Sequence, residues 1–97
     1  MPNANGTPTD QEERELDAAI IRVFGGICAY CRVNSAAVVH EIIPKSLSPR
    51  SWWLGENLMP LCVPCHESAH DGSRALASAR LVEARRLALW ALYPAAE

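Results

Sequence analysis

The sequence lacks any apolar run that approaches the roughly 18 residues of a membrane-spanning helix, so a membrane protein is not expected. Residues 1–9 also lack the basic head and apolar stretch of a secretory signal. Neither charge sign dominates, because 9 Lys and Arg residues face 11 Asp and Glu residues for a net charge of −2. We therefore expect a cytoplasmic protein in a reducing compartment, without a membrane partner.

Length and composition indicate one small folded domain. The chain has 97 residues, of which 49% are apolar and 21% charged, which is typical of neither disordered nor collagenous chains. A hydrophobic core is thin in a chain this short. We expect residues 1–9, which are rich in Pro, Asn, Gly and Thr, to form a flexible tail, and residues 10–97 to form a single domain.

The small net charge hides an uneven distribution along the chain. Residues 1–21 carry a net charge of −4, whereas residues 22–86 carry +3. The early carboxylates fall in the first turns of a predicted helix, where they suit the positive end of the helix dipole. The mild positive charge of the central segment allows contact with phosphates, but it does not by itself predict tight DNA binding.

Apolar periodicity and turn residues predict an α+β chain. Thr9 and Glu12 have the spacing of a capping box at the start of a first helix, and Gly25-Gly26 ends that helix. A run rich in β-branched residues predicts a strand over residues 36–43. Residues 57–61 are the second predicted strand, which follows a loop with two prolines and three serines.

Two further helices are predicted in the last third of the chain. Pro64 suits the first turn of a helix that carries His66 and His70, and Asp71-Gly72 ends it. The last helix is expected over residues 73–92. Its arginines do not gather into one stripe and are interpreted as solvated charges: Arg74, Arg80, Arg85 and Arg86.

The four cysteines form two Cys-x-x-Cys pairs separated by 30 residues. Each pair presents two thiolates on one tight turn, so Cys28, Cys31, Cys62 and Cys65 together supply the tetrahedral sulfur set that zinc prefers. Buried free thiols or a redox pair are the other interpretations, but a redox pair needs no second motif. We therefore predict a structural zinc, which contributes on the order of 10 kcal/mol to the folding of small domains.

All three histidines lie inside the segment that the cysteines define or just beyond it. His66 and His70 are four residues apart, so they share one helical face and can chelate one metal ion. His40 in the first predicted strand can supply a third ligand if that strand packs against the helix. We predict a second metal site, separate from the zinc, at these three residues.

The segment from Cys28 to His70 carries its motifs in a fixed order. They are Cys28-x-x-Cys31, His40-Glu41-Ile42-Ile43-Pro44-Lys45-Ser46, and Asn57-Leu58-x-x-Leu61-Cys62-x-x-Cys65-His66-x-x-x-His70. In order and spacing this series resembles the zinc-stabilised, four-cysteine branch of the HNH endonucleases. The resemblance covers a little under half of the chain. It implies a small α+β fold with a ββα-metal (His-Me finger) core, flanked here by the N- and C-terminal helices.

The resemblance also implies which residues carry the chemistry. The catalytic residues would be His40, Glu41, Asn57 and His66, and the ligands of the catalytic divalent ion (Mg²⁺, Mn²⁺ or another) would be His40, His66 and His70. Many relatives have histidine where this chain has Glu41, which is a weaker base at its unperturbed pKa. Two assignments stay open: Glu41 is the general base, or His40 is the base and leaves two histidines on the metal.

The function implied by the resemblance is metal-dependent hydrolysis of DNA phosphodiester bonds, with nicking at low sequence specificity. Lys45 and Arg50, in the loop after the first strand, are candidate DNA contacts. At least one residue of Trp52-Trp53 is expected to close the core over the zinc site. Cutting both strands would need a homodimer or a larger DNA-processing partner. Small stand-alone proteins of this kind often belong to phages or prophages, so a bacterial or phage-infected cell is the expected setting.

A second function comes from a different class. The same cysteines and histidines could stabilise a zinc-containing DNA- or protein-binding module that has no catalytic activity. Glu41 and the modest positive charge favour this alternative, whereas the set of three chelating histidines favours the nuclease.

Overall fold

A computed structural model describes residues 6–70 and 78–94, and its first element is helix α1 (Asp10–Val23). The predicted capping box is present, because the Thr9 hydroxyl accepts from the Glu12 amide at 3.2 Å and the Glu12 carboxylate accepts from the Thr9 amide at 3.0 Å. The helix ends before Gly25 and Gly26, whose φ angles of 72° and 77° are rarely adopted by other residues. Both ends of the first helix are therefore where the sequence predicts them.

Strands β1 (Val38–Glu41) and β2 (Leu58–Leu61) pair antiparallel in the described part of the chain. The register places His40 opposite Met59 and Glu41 opposite Leu58. The ladder therefore brings the two predicted active-site residues of β1 against the buried strand β2.

Strand β1 is shorter than the predicted strand over residues 36–43. At its start, Ala36 donates to the Gly26 carbonyl instead of to β2. At its end, the amide and the carbonyl of Ile43 are bonded to the side chain of Asn57 rather than to backbone. Asn57 itself belongs to a short 3₁₀ helix, Gly55–Asn57, so β2 begins one residue later than predicted.

Helices α2 (Val63–His70) and α3 (Ser78–Leu92) follow the sheet. Helix α2 begins one residue before the predicted Pro64, which lies in the first turn where its missing amide costs nothing. Its first hydrogen bond runs from the His66 amide to the Cys62 carbonyl at 2.9 Å. The predicted helix break at Asp71-Gly72 and the predicted start of the last helix lie outside the described residues, as does most of the predicted tail.

The core lies between the sheet, helix α1 and helix α3. Helix α1 packs against both strands, and α2 packs against β1. The buried cluster combines apolar side chains with two of the cysteines, and its members include Ile20, Phe24, Cys28, Ile42, Leu58, Met59, Leu61, Cys62, Leu81 and Ala88. Because Cys28 and Cys62 of the predicted zinc site are part of this cluster, the core and that site depend on each other.

The observed architecture is a small α+β fold, with three α-helices and one two-stranded antiparallel sheet among the described residues. This confirms the α+β part of the predicted fold class. None of the helices in residues 6–70 and 78–94 is both long enough and apolar enough to cross a membrane.

Two interpretations of single residues need correction. Arg85 is not a solvated charge, because it is half-buried and its guanidinium bonds two backbone carbonyls. Trp52 is buried as expected for one of the tryptophans, but it lies outside the cluster that holds Cys28 and Cys62. Instead it packs at 4.1 Å under the ammonium group of Lys45, so it closes the loop after β1 and not the cysteine site.

Candidate metal centres and active site

The four cysteine sulfurs converge between the turn that carries Cys28 and Cys31 and the start of helix α2. All four Sγ atoms lie within 4.8 Å of one another, and those of Cys31 and Cys62 are 3.8 Å apart. Zn–S bonds of about 2.3 Å in a tetrahedron require sulfurs about 3.8 Å apart. The predicted cysteine set therefore has the dimensions of a zinc site, although the sequence places its two halves 30 residues apart.

The backbone around Cys28 and Cys31 favours metal binding at these two residues. The amide of Cys31 donates to the Cys28 sulfur at 3.5 Å, and the Arg32 amide donates to the Cys28 carbonyl at 3.0 Å. Arg32 has a φ of 61°, the left-handed conformation that lets the chain turn sharply after the second cysteine. Amides that point at sulfur stabilise thiolates, which are the form that binds zinc.

The thiols cannot all ionise at this distance without a cation. Hydrogen bonds from the Asn34 and Val33 amides hold the pKa of Cys31 down at about 6. Burial and the neighbouring sulfurs raise the pKa of Cys65 far above its usual value. A divalent cation among the four sulfurs removes this repulsion, so the electrostatics of the cluster also fit zinc.

Asn34 is a residue of this site that the sequence analysis missed. Its side-chain amide donates to the Cys62 sulfur at 3.6 Å, and its carbonyl accepts from the Cys28 amide at 2.8 Å. Asn34 therefore connects the two Cys-x-x-Cys pairs. Its position three residues after Cys31 is the only sequence signal, and asparagine is common in such turns for ordinary reasons.

The three histidines form the second cluster. His40 lies on β1 and is 8% exposed, whereas His66 and His70 lie one turn apart on α2. Their candidate ligand nitrogens are all within 4.8 Å of one another, and the Nε2 atoms of His66 and His70 are 3.0 Å apart. The predicted metal triad is thus brought together by the packing of α2 against β1.

Lowered pKa values favour the neutral, metal-binding form of His40 and His66. Burial, with the nearby rings of His70 and His66, lowers the pKa of His40 to about 4. Burial and His70 also lower the pKa of His66. Three nitrogen donors are preferred by Zn²⁺, Ni²⁺ or Cu²⁺, whereas Mg²⁺ prefers oxygen ligands. The donor set therefore fits a transition-metal ion better than Mg²⁺.

A cleft of about 290 Å³ opens over the histidines. Its lining includes all three imidazoles and also Glu41 and Pro44. Glu41 follows His40 on β1 and also borders this cleft, and its charge is close enough to Asp17 of α1 to raise the pKa of that residue. The cleft is open to solvent on the described surface, so a bulky substrate could approach it.

Asn57 clamps the chain just after these two residues. Its Oδ1 accepts from the Ile43 amide at 2.8 Å, while its Nδ2 donates to the carbonyls of Ile43 and Trp52, each at 3.0 Å. Its own carbonyl accepts from the Ile42 amide at 2.9 Å. Asn57 therefore fixes the exit of β1 by side chain and backbone together, and it does not reach into the histidine cluster.

The two candidate DNA contacts differ in their surroundings. Lys45 bonds the Glu13 carboxylate of α1 at 3.2 Å, in addition to lying over Trp52. Arg50 is exposed on the same loop. The Lys45–Glu13 contact was not predicted, because nothing in the sequence indicates that the acidic face of α1 packs beside this loop.

Comparisons of the chain with protein-family models, with curated proteins and with solved structures found no match. The site is therefore interpreted from its own geometry. That geometry consists of a four-sulfur cluster with the dimensions of a zinc site and a three-imidazole cluster with room for a metal ion.

Proposed function

We propose that this protein is a metal-dependent endonuclease of the HNH type that hydrolyses phosphodiester bonds in DNA. In this proposal β1, β2 and α2 form a ββα-metal core, and the cysteine cluster holds a structural zinc beside it. The observation that carries the proposal is the convergence of His40, His66 and His70 from a strand and a helix into one open cleft.

A metal ion held by the three imidazoles would act as a Lewis acid on the phosphate and would stabilise the negative charge that develops during hydrolysis. The residues of the chain divide the remaining work. His40, His66 and His70 would supply the ligand nitrogens, and the lowered pKa values of His40 and His66 keep those two imidazoles neutral and ready to bind.

We propose one of the two assignments of the general base. His40 lies within metal-sharing distance of both other imidazoles, which supports a role as ligand. Glu41 follows it directly and also borders the cleft, so its carboxylate is our candidate for the group that takes a proton from the attacking water. We therefore assign His40 to the metal and Glu41 to the base.

Asn57 would act through position and not through contact with the substrate. Its bonds to Ile43 and Trp52 tie the loop after β1 to the start of β2. Because Ile42 and Ile43 directly follow Glu41, this clamp fixes the backbone just beyond the proposed base. A single centre of this kind cuts one strand, so nicking is the expected product.

The test is a nicking assay on supercoiled plasmid DNA. Zinc-loaded protein is incubated with added Mn²⁺, Co²⁺ or Ni²⁺, and Glu41→Gln and His70→Ala variants are compared with wild type. Ser68→Ala is a matched control, since Ser68 is exposed on the same helix as His70. We expect nicked circles from wild type and from the control, and a loss of at least about 100-fold from the other two. Equal nicking by all four proteins would refute the assignment.

One observation favours the alternative, a DNA- or protein-binding module without catalysis. The Lys45 ammonium, a candidate phosphate contact, is already paired with Glu13. The same assay separates the two functions, because a binding module would shift DNA in a gel and leave the plasmid supercoiled with every ion tested.

A further inference from the structure

Arg85 of helix α3 bonds the backbone on both sides of Asn57. Its Nε donates to the Leu58 carbonyl at 2.9 Å, and one terminal nitrogen donates to the Gly55 carbonyl at 2.7 Å. These carbonyls belong to the start of β2 and to the 3₁₀ helix, 27 and 30 residues before Arg85 in the chain. The guanidinium thus connects the C-terminal helix to the segment that carries the proposed clamp residue.

The Arg85 guanidinium also lies against the core. Its guanidinium carbon lies 5.4 Å from the centre of the Phe24 ring, which is buried in the core. Arg85 also lies on the inward face of α3, four residues after the buried Leu81 and three residues before the buried Ala88. Burial of the guanidinium is compensated by two hydrogen bonds to carbonyls, as a half-buried charge requires.

The Leu58 carbonyl that Arg85 holds lies directly across the sheet from the proposed base. Leu58 is the register partner of Glu41. The Ile42 amide donates to the Asn57 carbonyl, so Ile42 and Asn57 face each other as a hydrogen-bonded pair. In an antiparallel ladder, hydrogen-bonded and non-hydrogen-bonded pairs alternate. The pair of Glu41 and Leu58 is therefore a non-bonded pair, so the Leu58 carbonyl points to the outer edge of β2, where Arg85 meets it.

The contacts form one continuous path from α3 to the cleft. Arg85 fixes the residues before and after Asn57, and Asn57 fixes both backbone groups of Ile43. Ile43 is two residues beyond Glu41. A displacement of the Gly55–Leu58 segment would therefore be passed to the end of β1, and misplacement of a catalytic group by about 1 Å can cost about 100-fold in rate.

We propose that Arg85 is a positioning residue of the active site, acting on Glu41 through the Asn57 clamp. The inference rests on the proposed nuclease function and extends the site to helix α3, beyond the motif-bearing segment of residues 28–70. Only arginine satisfies the geometry, because its fork donates to two carbonyls at once, whereas lysine presents one nitrogen on a flexible stem.

The experiment compares Arg85→Met and Arg85→Lys with a neighbouring control, Arg86→Met. Arg86 is exposed on the same helix, pairs with Glu83 and stacks on Trp90, so its removal changes charge and helix surface equally but leaves the Asn57 segment alone. For each zinc-loaded protein, kcat and KM are measured on a short fluorescent DNA duplex with Mn²⁺. The NMR signals of the Ile43 backbone amide and of the Asn57 side-chain amide are recorded in parallel.

We expect Arg85→Met to lower kcat about 10- to 100-fold with KM within about two-fold of wild type, since Arg85 does not line the cleft over the histidines. Arg85→Lys is expected to recover only part of that loss. The Ile43 amide and the Asn57 side-chain signals should shift in both Arg85 variants and stay unchanged in Arg86→Met. A purely structural role would instead lower the active fraction and leave the kcat of the folded fraction unchanged.

A wild-type kcat in folded Arg85→Met would overturn the inference, whatever the NMR signals do. If the wild-type protein does not cleave DNA at all, the proposed function fails. The NMR comparison then tests only whether Arg85 positions Asn57 and Ile43. In that case, unchanged Ile43 and Asn57 signals in Arg85→Met would overturn the link from α3 to the end of β1, and shifted signals would support it.

Discussion

The side chain of Asn57 bonds both backbone groups of Ile43, accepting from its amide at 2.8 Å and donating to its carbonyl at 3.0 Å. A carboxamide is the side chain that can do both, since it carries an acceptor and a donor on one planar group. This contact replaces the next step of the β ladder. It explains why β1 ends before Ile43 although the sequence there is rich in β-branched residues.

Replacing Asn57 with alanine is expected to lower the free energy of unfolding by about 1–3 kcal/mol, because three hydrogen bonds are lost and Ile43 becomes free to move. Urea denaturation of the zinc-loaded protein measures the change. Glu56→Gln is the control, as Glu56 is the exposed neighbour in the same 3₁₀ helix. A loss of equal size in both variants would mean that the side-chain clamp does not stabilise the fold.

Replacing Cys62 with serine is expected to abolish zinc binding and folding together. The metal contributes on the order of 10 kcal/mol in small zinc domains, which is comparable to the whole stability of a domain this size. Zinc content after gel filtration and far-UV circular dichroism measure the two losses. Val63→Ser introduces the same hydroxyl one residue later at a half-exposed position, and it should keep both zinc and fold. A folded, zinc-free Cys62→Ser protein would contradict the four-sulfur site.

Asp17 gives a pH dependence with a definite sign. Burial raises the pKa of its carboxyl, and the neighbouring carboxylates Glu13 and Glu41 raise it further, while Lys45 opposes them. The folded state therefore binds the Asp17 proton more tightly than the unfolded state. Its contribution to stability is complete below the unfolded pKa and is lost as the pH rises through the folded pKa.

Asp17→Asn should consequently be more stable than wild type at pH 7, and the difference should disappear below about pH 4, where wild-type Asp17 is protonated in both states. Thermal unfolding across this pH range measures it. Asp10→Asn removes the same charge from the first turn of the same helix, where the carboxylate is favourable, so it should be neutral or destabilising. A wild type as stable as Asp17→Asn at pH 7 would contradict the pKa assignment.

The Lys45–Glu13 ion pair should compete with DNA. Glu13→Gln frees the ammonium group and is expected to tighten DNA binding about 1.5- to 5-fold at low salt, the range of an exposed ion pair. Fluorescence anisotropy with a DNA duplex measures the affinity, and the gain should shrink as salt screens the charges. Glu15→Gln removes one charge from the exposed side of the same helix. Equal gains in both variants would indicate a general charge effect and not a specific contact.

The sequence was sufficient to predict most of the local elements and the residues that meet in the cysteine and histidine clusters. The capping box at Thr9, the glycine stop at Gly25-Gly26 and the paired Cys-x-x-Cys motifs are local signals, and the structure places each where it is expected. The meeting of His40 with His66 and His70 was predicted as conditional on packing, because no local pattern fixes how a strand lies against a helix.

Long-range contacts account for what the sequence analysis missed. Arg85 looks like one of several surface arginines until its spacing from Leu81, Ala84 and Ala88 is compared with the apolar face of α3, which it shares. Even that spacing does not identify its partners, since the carbonyls of Gly55 and Leu58 carry no side-chain signature. The same holds for Asn34, whose contact with Cys62 spans 28 residues.

The most direct test of the proposed histidine metal site is anomalous diffraction from crystals of the zinc-loaded protein soaked in a cobalt or manganese salt. We expect one zinc peak among the four cysteine sulfurs and a second peak, at the edge of the soaked metal, between the rings of His40, His66 and His70. A soaked-metal signal confined to other places, with no density between these three rings, would contradict the proposed catalytic centre while leaving the zinc site intact.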